Sequence, residues 1–126
     1  MTQLATTISG FVVGDDLEIR RTVTDLPSAI ATAWLTVKRY AAQADTAAVL
    51  QKKITVANVP GTGQIVAAGG IGIPGDLRFD LAAADTTALG ARQHVHDIQI
   101  KLSNGKVYTV EKGTIELTPG VTAGTT

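Results

Sequence analysis

The sequence contains no cysteine. That excludes a disulfide framework, a thiolate metal site and a cysteine nucleophile, and it leaves the redox environment open. Aromatic residues are scarce at 4%, so a core has to be assembled from Val, Ile, Leu and Ala. Small side chains bury little area each, and a chain with so few large anchors is expected to lean on a partner or on further copies of itself. Charge is thin as well. Charged residues make up 17%, below the usual proportion of about a quarter, and 11 basic side chains cancel 11 acidic ones. With no net field to steer a polyanion, nucleic-acid binding is not expected. No stretch approaches the roughly 18 apolar residues of a membrane helix, so no membrane partner is expected. The opening Met-Thr-Gln-Leu-Ala-Thr-Thr has neither a basic n-region nor an apolar run, which argues against a secretory signal. The 126 residues have room for one domain.

What is present is a succession of strand-like segments separated by turn residues. Leu4 to Val13 is rich in Thr and Val and ends at Gly14-Asp15-Asp16. In Leu17 to Val23, alternation places Leu17, Ile19 and Val23 on one face, which forces Arg21 inward or onto a bulge. Ala31 to Tyr40 alternates with period two: Ala31, Ala33, Leu35 and Val37 against Thr32, Trp34, Thr36 and Lys38. Trp34 is expected in the core as its largest side chain, the other option being an exposed interface anchor. Residues 41–48 fit either a helix or a loop. Val49 to Val59 reads as a strand closed by Pro60-Gly61. Residues 61–75 hold six glycines and a proline, a density expected to leave at most a short strand at Ile65-Val66 with flexible flanks. Leu77, Phe79 and Leu81 share one face of the next strand. Ala82 to Leu89 suits one or two helical turns closed by Gly90. Residues 93–102 alternate again, Asn104-Gly105 is a strong hairpin signal, and Val107 to Val110 returns as the partner strand. Gly113 is expected to kink the chain before Thr114 to Thr118. The pattern predicts an all-β fold, a sandwich of about seven or eight strands with one short helical turn. The expected boundaries are an N-terminal arm at 1–7, the sandwich at 8–118 and a tail at 119–126.

No constellation in the sequence reads as an active site. His94 and His96, the only histidines, share a face of one strand. Such a pair could bind zinc or copper with a third ligand, but Asp97 points the other way and nothing places Asp80 nearby. The simpler reading is two ordinary strand residues, and no metal is assigned. Gly70-Ile71-Gly72-Ile73-Pro74-Gly75 matches G-x-G-x-x-G, yet Pro74 interrupts it and a strand rather than a helix follows, so no nucleotide is expected. Ser9, Ser28 and Ser103 lie outside any nucleophile-elbow pattern. Asp85-Thr86-Thr87 is read as local, the carboxylate accepting from the turn that follows. No enzyme activity and no cofactor are expected. The residues expected to make contacts are Thr2, Gln3 and Leu4 in the arm, Gly70, Ile71, Gly72 and Ile73 in the glycine loop, and Val121 and Thr122 in the tail.

The order of segments from Gly14 to Thr118 carries a resemblance. It runs through Gly14-Asp15-Asp16-Leu17-Glu18-Ile19-Arg20, Ala33-Trp34-Leu35-Thr36-Val37-Lys38, Leu77-Arg78-Phe79-Asp80-Leu81 and Ala84-Asp85-Thr86-Thr87-Ala88-Leu89. It closes with His96-Asp97-Ile98-Gln99-Ile100, Asn104-Gly105-Lys106-Val107-Tyr108-Thr109 and Gly113-Thr114-Ile115. This resembles the immunoglobulin-like β-sandwich family of tailed bacteriophages related to the N-terminal domain of baseplate upper proteins. The resemblance implies a non-enzymatic virion structural protein, assembled in the bacterial host cytoplasm. It would act as an adaptor docking onto tail, baseplate or fibre proteins, with homo-oligomerisation inside the particle. Two alternatives stand beside it: a capsid cement protein clamping neighbouring major capsid subunits, and a small sugar- or metal-binding module using the face that carries His94 and His96.

Overall fold

The computed structural model describes residues 4–39 and 49–119. Eight strands and one short helix follow one another as β1 (Leu4–Val12), β2 (Leu17–Val23), β3 (Ile30–Lys38), β4 (Leu50–Ile54), β5 (Gly63–Ala67), β6 (Gly75–Leu81), α1 (Ala83–Leu89), β7 (Gln93–Leu102) and β8 (Val107–Thr118). A five-stranded sheet has the order β1-β8-β7-β3-β4 and faces a three-stranded sheet ordered β2-β6-β5. β1 runs parallel to β8, and the other strand pairs are antiparallel. With β3, β7 and β8 side by side opposite β2, β6 and β5, this is an immunoglobulin-like sandwich.

Alternation produces the core. Leu17, Ile19, Leu77, Phe79 and Leu81 from the small sheet meet Ala33, Leu35, Val37, Ile98, Ile100 and Ile115 from the large one. Among the described residues Phe79 is the one Phe, Tyr or Trp that is fully buried, so the interior is mainly aliphatic, as the composition requires. Trp34 does not join it. Ala33, Leu35 and Val37 take the inward positions, which leaves Trp34 half-buried on the outer face of the large sheet.

Four other expectations need correction. Residues 4–7 are not a loose arm, because β1 already pairs with β8 at Leu4↔Glu111; Thr2 and Gln3, like Tyr40 to Ala48 and Val121 and Thr122, lie outside the described residues. The short strand expected at Ile65-Val66 is present as β5 at Gly63–Ala67, but the flank expected to be flexible holds a tight turn in which Gly70 and Ile73 bond each other through both backbone groups at 3.0 and 3.1 Å. The glycines there permit close approach. A Cβ on Gly69, whose φ is +68°, would sit 2.7 Å from the Gly75 nitrogen and 2.8 Å from Leu26. β8 passes through Gly113 without a break, and its irregularity is instead a bulge at Val110, between the pairs Gln99↔Thr109 and Ile98↔Glu111. Finally, the Asp85 carboxylate reaches back to accept from the Ala82 N–H at 2.9 Å rather than from the turn after it.

α1 closes one end of the sandwich. Its first free amide, Ala83 N–H, donates to the Asp16 carboxylate in the β1–β2 turn at 2.8 Å, since Ala82 has no side chain that can cap. The fully buried Thr86 hydroxyl donates to the Asp15 carbonyl at 2.8 Å and accepts from the Gly14 N–H at 3.0 Å. The opposite end gathers the β2–β3, β5–β6 and β7–β8 connections. There Ile30 N–H donates to the Ala68 carbonyl at 2.8 Å and Ser103 N–H to that of Ala29 at 2.8 Å.

Candidate functional site

The glycine loop projects from that second end. Ile71 and Gly72 are the central residues of a tight turn, and Gly72 takes the left-handed φ of +72° that the second central position of such a turn can require. The turn holds Ile71 and Ile73 out from the fold, 81% and 62% exposed. Beside it, Asp25 adopts a left-handed φ of 58°, the one non-glycine residue to do so among those described. The chain turns there so that Leu26 is buried at 2% exposure while Pro27 stays outside. Asp25, Leu26, Pro27, Ile71, Gly72 and Tyr108 line a groove of about 470 Å³. Val107, 53% exposed, precedes Tyr108 at the start of β8. A protruding apolar turn next to a groove has the shape of a contact surface.

Of the residues expected to make contacts, Gly70, Ile71, Gly72 and Ile73 are therefore brought together and presented. Leu4 is the first residue of β1, at the opposite edge of the large sheet from β4. Pro27, Val107 and Tyr108 were not singled out from sequence. Tyr108 stands two residues after the hairpin turn, and its position beside the glycine loop follows only from the packing of three connections at one end.

The second cluster is internal. His94 and His96 share a face, as their spacing requires, but it is the inner face: they are 1% and 4% exposed. His96 Nε2–H donates to Glu111 Oε2 at 2.7 Å. Arg21, inward from β2 as its parity demands and with no bulge in the β2–β6 register, donates from Nε to Glu111 Oε1 at 2.5 Å and from Nη2 to Oε2 at 3.4 Å. Glu111 is 1% exposed. Burial alone would push its carboxyl up, but the bonds from His96 and Arg21 outweigh that and hold it below the ordinary carboxylate range. Both oxygens are engaged and out of solvent, so the group clamps β8 of the large sheet to β2 of the small one. His94 donates from Nε2 to the Leu89 carbonyl at the end of α1, at 2.8 Å, and burial pushes its imidazole down. Among the described residues no group of three or more His, Asp or Glu side chains could hold a metal. Asp80 pairs with Arg78 on the other sheet and does not approach the histidines.

Glu111 escaped the sequence reading, although a signal for it exists. Apolar parity in β8 is even at Tyr108 and Val110 and odd at Ile115 and Leu117, so a bulge must lie between. The bulge turns both Val110 and Glu111 inward. A third feature is a hollow of about 400 Å³ on the outer face of the large sheet, among Thr36, Lys38, Asp97, Gln99, Thr109 and Lys112. Its amides and hydroxyls partly satisfy one another, with Gln51 donating to Thr36 Oγ1 at 3.1 Å and Gln99 to Thr109 Oγ1 at 3.3 Å.

Compared with known proteins, the sequence matches no family model and no curated protein sequence.

Proposed function

We propose that this chain is a non-enzymatic structural protein of a tailed-bacteriophage particle, an adaptor that docks onto the tail, baseplate or fibre assembly. The observation that carries the docking role is the Gly70–Ile73 turn. Ile71 and Ile73 contribute little to the core, and a rigid two-residue turn holds them in water beside a ready groove. The particle assignment draws on the resemblance in segment order. The inward-facing histidines and the fully engaged Glu111 support a structural reading over a small-ligand one.

The test replaces both isoleucines, Ile71→Ser and Ile73→Ser, in the full chain. Exposed turn positions of this kind change stability by no more than about 0.5 kcal/mol, so melting stays as in the parent. Burying an isoleucine at an interface is worth about 1.5–3 kcal/mol, so losing two weakens docking by roughly a hundredfold or more. Incorporation of the variant into particles is expected to collapse. Incorporation at the parental level by a folded variant would overturn the reading.

A further inference from the structure

Among the described residues the two sheets present four edges: β1 and β4 on the large sheet, β2 and β5 on the small one. An open edge is a template for another strand unless charge, proline, a bulge or a covering segment blunts it. Three of the four are blunted. The segment after β4 folds over β5, with Ile65 N–H donating to the Thr55 carbonyl at 2.7 Å, a bridge between Val59 and Gly63, and Gln64 Nε2 donating to the Val56 carbonyl at 3.0 Å. β2 carries Glu18, Arg20 and Arg21 within seven residues, and the Arg21 guanidinium donates to the Arg20 carbonyl at 2.8 Å. β4 carries Lys52 and Lys53 within five residues.

β1 differs. Its nine residues contain no charged side chain and no proline. One edge pairs in parallel with β8, so alternate residues direct their N–H and C=O groups the other way. Among the described residues nothing pairs with that outer edge. The register slip between Ile8 and Phe11, with Gly10 at φ +84°, blunts only the far half and leaves residues 4–8 straight.

We propose that residues 4–8 of β1 pair antiparallel with the same residues of a second copy of this chain, joining two five-stranded sheets across a two-fold axis. The charge pattern selects the occupant. Of the edges not covered by another segment, β1 alone can pair with its own copy without placing a charged side chain in the seam. With Thr6 on the axis, position 4 stands opposite 8 and position 5 opposite 7, the self-complementary arrangement a two-fold interface needs. This pairing depends only on the edges of the fold and is independent of the particle role.

The experiment measures the mass of the purified full chain in solution by sedimentation as concentration rises, for the parent, for Thr7→Lys and for Ile71→Ser with Ile73→Ser. Thr7 is exposed, so the lysine leaves the monomer fold intact, which circular dichroism and melting verify. Across the two-fold axis it places two lysines at diagonal cross-strand positions, with backbones about 7–8 Å apart, where like charges repel. The expected result is a mass that doubles for the parent and for the isoleucine variant, and stays single for Thr7→Lys. Hydrogen exchange at the amides of residues 4–8 should slow as the parent dimerises. A parent that stays monomeric, or a dimer that survives Thr7→Lys, would overturn the proposal. A dimer lost in the isoleucine variant alone would overturn it too and assign the contact to the glycine-loop end.

Discussion

Glu111 joins the two sheets through side chains alone, and its removal should show what that bond contributes. Breaking a buried ion pair by deleting one partner costs about 3–5 kcal/mol. Arg21 keeps 26% of its side chain exposed, so the low end, about 3 kcal/mol, is expected for Glu111→Gln in a urea titration; a loss under about 1 kcal/mol would contradict the clamp. Acid should weaken the fold in two stages. The His94 imidazole is depressed from 6.5 in the folded state, so the unfolded chain binds the extra proton and stability falls as pH drops through that value. The Glu111 carboxyl is depressed from 4.5, so its contribution is complete above that value and is lost as pH falls through the lower folded one. Urea midpoints that stay flat on acidification through both ranges would contradict this. Arg21 was legible in the sequence because Leu17, Ile19 and Val23 fix its parity. Its partner was not, because one extra residue at Val110 reverses the parity of everything before it. Trp34 was misplaced for a related reason. Period two assigns two faces but does not say which is inner, and size suggested the wrong one.

At the scale of elements, α1 is too short to stand alone and is held by what it touches. Thr86 serves the Gly14 amide and the Asp15 carbonyl together, while the exposed Thr87 bonds only the Ala83 carbonyl within the helix. Thr86→Val should therefore cost about 1–3 kcal/mol, and Thr87→Val no more than about 0.5 kcal/mol. Equal effects on thermal unfolding would remove the helix's anchoring role. The helix itself was readable from Ala82 to Gly90, as was the Asn104-Gly105 hairpin, because their signals are local. In the glycine-rich segment the short strand at Ile65-Val66 was readable, but the order of the turn after it was not. Glycine frequency reads as flexibility, whereas Gly69 has its φ and its contacts fixed by Leu26 and Gly75, which are remote from or later in the chain. β1 was split between strand and arm because a parallel pairing with a strand about a hundred residues on leaves no mark on its own sequence.

For the whole molecule, the polar groups with the most demanding chemistry are turned inward and spent on holding the sheets, while the apolar groups of the glycine loop are turned outward. That inversion is the physical content of the docking account. The most direct test of its central claim, a place in the tail assembly, is a count of this chain by quantitative mass spectrometry in separated heads and tails of the particle. A few to some tens of copies are expected with the tails and none with the heads. Hundreds with the heads would make it a capsid cement, and absence from both would contradict a particle role altogether.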